Sequence, residues 1–543
     1  LTQDRTLLRK ANEAIMAVLL EVHYDKAEIL EAYLNEVFLG QQGAYAVHGF
    51  GRAAEFYFDQ PLATLQPHQV ALLVGMVKGA SYYNPRRNPE RAKQRRDLVL
   101  NEFEETGLLT PEAARAAAAK GLGVTSSPRT RSTRYLSFVD LVKRQLAQVY
   151  REEDLRTEGL RVFTTLAPSE QEKAQRAVSR GLKDLAQRGL PESLQGALVL
   201  ADSASGEVRA LVGDRDPSRP GFNRAIHARR QVGSVIKPLV YLLALEHPDE
   251  YSLLTRIEDE PISLRQPDGS TWSPGNFDGK SHGSVSLMQA LTRSYNQATV
   301  RLGMDVGVNQ LLGRIEQLGV SAEIDPVPSV FLGAVELTPL EVTQLFQSIA
   351  NSGFSVPLRS VIAVQTAEGE ELVRYPLRLL PQPHREAISV LNYALVEVVE
   401  QGTGRGLPAL MGKPVTIAGK TGTTNDRRDS WFVGYTRNRV AAAWVGNDDF
   451  SPAGVTGSNA AMRIWGELFR VLPIEPVDLR VPDGAHYLWV DEASGKRSAE
   501  GCEGALQLPY VNGSEPSDTT LCGATRQDKE KESIWKKWFG KED

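Results

Sequence analysis

Two cysteines, no surplus of basic residues and no long apolar run mark this 543-residue sequence by what it has little of. Cys502 and Cys522 are too few for a disulfide-dense scaffold or a cysteine-rich metal module. They leave two readings open: one small loop closed in an oxidising compartment, or two free thiols. Sixty-two basic residues stand against 67 acidic ones, a formal charge of −5. The broad positive face of a nucleic-acid binder is therefore not expected. No stretch approaches the roughly 20 apolar residues that cross a bilayer, and no secretory leader pattern occurs. The first residue is Leu1 rather than Met, so the chain is read as a piece of a longer protein. What remains, 41% hydrophobic and 24% charged, is a globular composition long enough for about two to four domains.

Residues 1–122 read as almost wholly helical. "NEAIMAVLLEV" and "AEILEAYLNEVFLG" carry apolar residues at helical spacing, and "HQVALLVGMVKGA" predicts a further apolar helix. "TPEAARAAAAKGLGV" has Thr110 as N-cap, Pro111 in the first turn and Gly121 as stop. The polar, basic "TSSPRTRSTR" reads as a linker opening a connecting module, residues 123–195. Residues 196–471 change character. "GALVLAD" and "EVRALVGD" predict a hairpin, and helices follow, among them the 22 residues "SLMQALTRSYNQATVRLGMDVG". Late strands are expected over "VTIAGKTG", "SWFVGYT" and "RVAAAWVGND". Strands, then helices, then strands predict an α/β domain with one antiparallel sheet flanked by helices. Residues 472–543 form a small C-terminal extension with strand-like runs and a charged end.

The stretch "QVGSVIKPL" places Ser234 three residues before Lys237 where an apolar helix begins. Residues three apart share a helical face, so the hydroxyl and the amine come within reach. A lysine among Val235, Ile236, Leu239 and Val240 loses solvent, its pKa falls, and it becomes a base for the serine. The same spacing recurs at Ser533 and Lys536 in the charged tail. Alone, it describes a capping serine and a surface lysine. Two later elements change the balance. Ser294-Tyr295-Asn296 follows within "TRSYNQA", and Lys420-Thr421-Gly422-Thr423 within "AGKTGTTND". The ordered series S-x-x-K, S-x-N, K-T-G is the signature of serine acyl-enzymes that react with penicillin. In this pattern Ser234 is the nucleophile and Lys237 its base. Ser294 relays a proton, and Asn296 orients a peptide bond. Lys420 supplies fixed positive charge that helps keep Lys237 neutral. Thr421 and Thr423 bind a carboxylate, and Gly422 lets a substrate backbone approach. The backbone N–H groups of Ser234 and Thr423 would form an oxyanion hole.

With "HARRQVGSVIKP", "EQGTGR" (Glu400 to Arg405) and "DSWFVGYT", these motifs resemble those of the class A, bifunctional penicillin-binding proteins of Gram-negative bacteria. The resemblance extends into the first 122 residues, which are similar to a family 51 glycosyltransferase with a lysozyme-like helical fold. It implies Glu13 as a donor-site carboxylate and Lys10 as a pyrophosphate ligand helped by Arg9, within "RKANEAIMAVLLE". Lys78 and Arg95 are weaker candidates for phosphate contacts. The family's first glycosyltransferase motif, which carries the general base, has no counterpart here, and Leu1-Thr2-Gln3 is all that matches its second. The expectation is a truncated glycosyltransferase that does not polymerise glycan, within a longer protein that does.

The resemblance implies a D,D-transpeptidase that cross-links peptidoglycan stem peptides and is trapped by β-lactams. It implies no metal or cofactor in the transpeptidase site. The intact glycosyltransferase would take lipid II and a divalent cation, Mg or Mn. It also implies a periplasmic location, an inner-membrane anchor outside this chain, an outer-membrane lipoprotein activator and no nucleic-acid partner. Two other readings are a hydrolase of the carboxypeptidase or β-lactamase type and a non-enzymatic β-lactam sensor. No recognisable loop supplies a base for deacylating water, which counts against the hydrolase.

Overall fold

The computed structural model describes residues 7–42, 45–125, 135–151, 154–155, 159–265 and 269–525. The chain divides into two compact units, Leu1–Ser132 and Thr133–Asp543.

The first unit is helical with one hairpin. Its helices are α1 (Leu7–His23), α2 (Lys26–Glu36), α3 (Phe50–Phe58), α4 (Pro67–Met76), α5 (Pro89–Glu105) and α6 (Pro111–Ala118). Thr110 caps α6 as expected, its Oγ1 accepting from Ala113 N at 3.3 Å. Arg96 on α5 is fully buried and closes the other end, donating to the carbonyls of Ala118 and Lys120 at 3.0 and 2.7 Å. Helical spacing misleads at one place. "AEILEAYLNEVFLG" does not stay helical to its end: α2 stops at Glu36, and β1 (Phe38–Gln42) pairs antiparallel with β2 (Tyr45–His48). Tertiary partners capture the extended chain, since Tyr57 Oη donates to Leu39 O at 3.0 Å and Gly49 N to Val37 O at 2.9 Å.

The second unit is built on a five-stranded antiparallel sheet. Short strand β3 (Arg161–Thr164) lies outside it and pairs with β6 (Val361–Gln365). The sheet takes β4 (Gln195–Asp202), β5 (Val208–Val212), β7 (Ala418–Thr423), β8 (Asp429–Tyr435) and β9 (Arg439–Gly446), in the order β7-β8-β9-β4-β5. These are the strands expected from the sequence. Their apolar runs are nearly continuous because both faces are covered. Trp431, Val433 and Tyr435 point into one core, with α9 (Lys237–Leu245), α12 (Pro339–Ala350) and α13 (Arg385–Glu400). Phe432, Ala441 and Ala443 point into the other, with α8 (Pro168–Gln187) and α14 (Ala461–Phe469). Helix α7 (Leu136–Leu146) packs near β5.

The 22-residue helix expected from Ser286 is two helices, α10 (Leu287–Arg293) and α11 (Asn296–Val306). Ser294 breaks it by taking a left-handed conformation, φ 62 and ψ 41, which a non-glycine residue adopts only where its surroundings hold it. Beyond the sheet, β10 (Ala485–Asp491) pairs with β11 (Ala505–Val511). Cys502 and Cys522 are joined in a disulfide. The tail pair Ser533 and Lys536 lies outside the described residues.

Candidate active site

Ser234 is set by a wedge of chain. Arg230 and Gln231 pair with Leu337 and Glu336, and Trp431 Nε1 donates to Gln231 O at 2.8 Å. Gly233 has φ +55, and a Cβ on it would lie 2.6 Å from Thr423 O. Only glycine lets the serine-bearing segment lie that close to β7. Gly233–Ile236 then forms a 3₁₀ turn, and α9 begins at Lys237. In a 3₁₀ turn residues three apart eclipse, so Ser234 and Lys237 project the same way. Pro238 sits in the first turn of α9, where its missing N–H leaves no gap.

Lys237 is fully buried. Its Nζ donates to Ser294 O at 2.8 Å, Tyr295 O at 3.1 Å and Asn296 Oδ1 at 2.6 Å, with Ser294 Oγ at 3.4 Å. Among the described residues no hydrogen bond joins it to Ser234; the amine is turned toward the S-Y-N segment. Lys420, also fully buried, reaches the same hydroxyl from the sheet, donating to Ser294 Oγ at 2.9 Å and Thr421 O at 3.2 Å. Ser294 Oγ therefore accepts from Lys420 and stands 3.4 Å from Lys237 Nζ, between the two amines, with its own proton free to donate. Burial, and then the charge on Lys420, lower the Lys237 amine well below its ordinary value, against a smaller opposing effect of Asp259. Burial takes Lys420 down to about 7.

Ser234, Ser294, Asn296, Thr421 and Thr423 line one cleft of about 530 Å³. The two lysines stand behind it. Thr421 Oγ1 donates to Thr403 Oγ1 at 2.6 Å, and Thr423 Oγ1 accepts from Gly457 N at 3.0 Å. Gly422 does not line the cleft. A Cβ there would meet Val232 O and Val235 Cγ2, each at 2.7 Å, so its bare backbone makes room for the Ser234 segment.

Residues 1–104 match the model of the transglycosylase family, and residues 196–463 match that of the penicillin-binding protein transpeptidase domain. The chain is 42% identical over 514 residues to penicillin-binding protein 1B of Vibrio cholerae, covering 94% of this chain and 65% of that one. It is 31% identical over 596 residues to penicillin-binding protein 1A of Neisseria lactamica, covering 89% of this chain and 74% of the relative. The chain belongs to the class A penicillin-binding proteins. The crystal structure of penicillin-binding protein 1A from Haemophilus influenzae shares its fold, with a TM-score of 0.76 at 23% identity over 92% of this chain and 93% of that one.

A penicillin-binding protein's three motifs are thus brought to one place here, together with a support that sequence reasoning missed. Asp259 is fully buried. Its carboxylate accepts from Ala298 N at 3.0 Å and Asn276 Nδ2 at 2.6 Å, and it faces His282 Nδ1 at 2.7 Å. Asn276 Oδ1 accepts from Asn296 N at 2.6 Å and Gln297 N at 3.3 Å. These side chains satisfy the first N–H groups of α11 and hold the break at Ser294. The His282 ring stacks on Tyr295 at 3.9 Å. The only sequence sign of this was the run of turn and polar residues "PGNFDGKSHG" just before the helix.

The glycosyltransferase candidates are less gathered. Arg9, Lys10 and Glu13 all fall on α1 within one turn of each other. Lys10 is exposed, while the side chains of Arg9 and Glu13 lie outside the described residues. Lys78 is exposed on its own, and Arg95 donates to Gly75 O at 3.4 Å within its own unit. Among the described residues no group of three His, Cys, Asp or Glu side chains is placed to hold a metal ion. No helix among the described residues is long and apolar enough to cross a membrane.

Proposed function

We propose that this chain carries a D,D-transpeptidase that cross-links peptidoglycan stem peptides through an acyl-enzyme on Ser234. The chain spans 65% of the length of its Vibrio cholerae relative, so the activity of the whole protein belongs to this proposal. The observation that carries it is the pair of buried amines, Lys237 and Lys420, meeting at one Ser294 hydroxyl behind an accessible serine.

The chemistry follows from that arrangement. Neutral Lys237 takes the proton of Ser234 as Oγ attacks the penultimate D-alanine carbonyl. Backbone N–H groups of Ser234 and Thr423 hold the oxyanion. The peptide C–N bond breaks, and the leaving D-alanine amine receives a proton through Ser294. Thr421, Thr423 and the Lys420 charge hold the substrate carboxylate, while Asn296 orients its backbone amide. The amine of a second stem then attacks the ester carbonyl, Ser234 leaves and regains its proton. A β-lactam acylates Ser234 by ring opening, and its leaving nitrogen stays tethered in the way of the acceptor.

The longer protein would polymerise lipid II through its transglycosylase part with Mg or Mn, and answer to an outer-membrane lipoprotein activator. Work in the periplasm, tethered to the inner membrane, suits the Cys502–Cys522 disulfide, which persists in oxidising compartments. Incubation with a D-Ala–D-Ala pentapeptide donor and an amine acceptor should give the cross-linked peptide and free D-alanine. D-alanine release without any cross-linked product would favour the carboxypeptidase instead. Acylation by penicillin with no peptide turnover would favour the sensor.

A further inference from the structure

A second cleft of about 630 Å³ adjoins the Ser234 cleft, and three of its lining side chains are arginines: Arg293, Arg405 and Arg463. They come from separate places in the chain, namely the last residue of α10, the turn after α13 and the first turns of α14. No acidic side chain lines this cleft, and none of the three guanidinium groups has an ion-pair or hydrogen-bond partner among the described residues. Buried arginines elsewhere on the chain are paired with carboxylates, Arg314 with Glu246 and Arg224 with Asp214 and Asp448, whereas these three meet at one hollow with no carboxylate. Three unpaired guanidinium groups around one hollow concentrate positive potential and offer planar forks that fit oxyanions.

The two clefts are continuous. Arg293, Thr403 and Ser458 line both, and the Thr421–Thr403 hydrogen bond ties the arginine cleft's edge to the K-T-G strand. We infer that the arginine cleft binds the free carboxylates of the acyl-acceptor stem peptide, an inference that rests on the transpeptidase reading above. Once D-alanine has left, the incoming amine must reach the acyl carbon on Ser234. The first cleft's own carboxylate site, at Thr421 and Thr423, serves the donor. A peptide lying in the second cleft enters from the Thr403 side with its amine toward Ser234 and its carboxylates over the arginines. Its nitrogen then forms the new C–N bond, the ester C–O bond breaks, and the amine proton passes to Ser234 Oγ. An unguided water has no such anchor, so the arginines favour transfer over hydrolysis.

The test is a partition experiment. A D-alanyl thioester serves as donor, and the acceptors are a lysine-containing stem tetrapeptide with free carboxylates and its fully amidated analogue. The ratio of aminolysis to hydrolysis is read for the parent and for Arg405→Gln and Arg463→Gln. Both products arise from the same acyl-enzyme, so a slower acylation cancels from the ratio. Each substitution should lower the ratio about tenfold for the free tetrapeptide, the loss of roughly one charged hydrogen-bonded contact, and less than twofold for the amidated one. Equal losses with both acceptors, or no loss with either, would overturn the inference. Calorimetric titration of the tetrapeptide into the Ser234→Ala protein reads the cleft without chemistry. Tighter binding of the free tetrapeptide than of the amide, lost in Arg463→Gln, supports it. Inorganic pyrophosphate displacing an amidation-insensitive peptide would assign the arginines to phosphate and refute the carboxylate. Absence of any acyl-enzyme on the parent would sink the Ser234 reading, while the titration would still judge the arginine cleft by itself.

Discussion

Replacing Lys420 by methionine should make the second unit more stable in mild acid, less stable in base, and poor at reacting with penicillin. The fall of the Lys420 amine from 10.5 to about 7 on burial corresponds to about 5 kcal/mol of differential interaction. Because the folded value is depressed, the unfolded chain binds more protons between those two values, and stability rises with pH across that window. The penalty is fully present below about pH 7 and fades toward pH 10.5. Methionine fills similar space without charge. It forfeits the hydrogen bonds to Ser294 Oγ and Thr421 O, roughly 1 kcal/mol each. The net expectation is a gain of about 3 kcal/mol at pH 6 that reverses to a loss of about 1 kcal/mol at pH 10. All seven tryptophans lie beyond residue 132, so tryptophan fluorescence in a denaturant titration reports the second unit. Penicillin acylation of the same variant should fall by about 100-fold or more, as one electrostatic contact is lost from the reacting centre. A variant less stable than the parent at pH 6, or a difference that does not move with pH, would refute this account of the buried amine.

Three further outcomes are expected. Ser294→Ala removes the hydroxyl that both amines share, and stopped-flow acylation by a chromogenic cephalosporin should slow by about 100-fold or more, the range for a lost proton relay. Gly422→Ala places a Cβ 2.7 Å from both Val232 O and Val235 Cγ2. It should destabilise the unit by about 1–3 kcal/mol, as overpacking does, and displace the Ser234 turn, so that acylation drops more than the melting temperature implies. Unfolded protein should show no titratable thiol until reductant is added, because Cys502 and Cys522 are bonded to each other.

The sheet was legible because each central strand is covered on both faces, which turns it into an apolar run bounded by turn residues. The three motifs were legible because S-x-x-K, S-x-N and K-T-G keep order and spacing in the chain. What escaped was whatever depends on a distant partner. Nothing local in "TRSYNQA" announces that Ser294 takes φ 62; Asn276 and Asp259, some 20 and 35 residues upstream, impose it by binding the N–H groups of α11. Val37 to Gly40 kept helical spacing yet became extended, because Tyr57 and Gly49 hold that stretch in place. Nothing local in "AGKTGTTND" shows that a Cβ at Gly422 would meet Val232 and Val235. The arginine cleft gathers residues 293, 405 and 463, which share no local pattern.

The most direct test of the central claim is intact mass after exposure to benzylpenicillin, followed by peptide mapping. The account predicts one covalent adduct per chain, on the peptide containing Ser234, and none on Ser234→Ala protein. An adduct that survives that substitution, or maps to another serine such as Ser533, would contradict it.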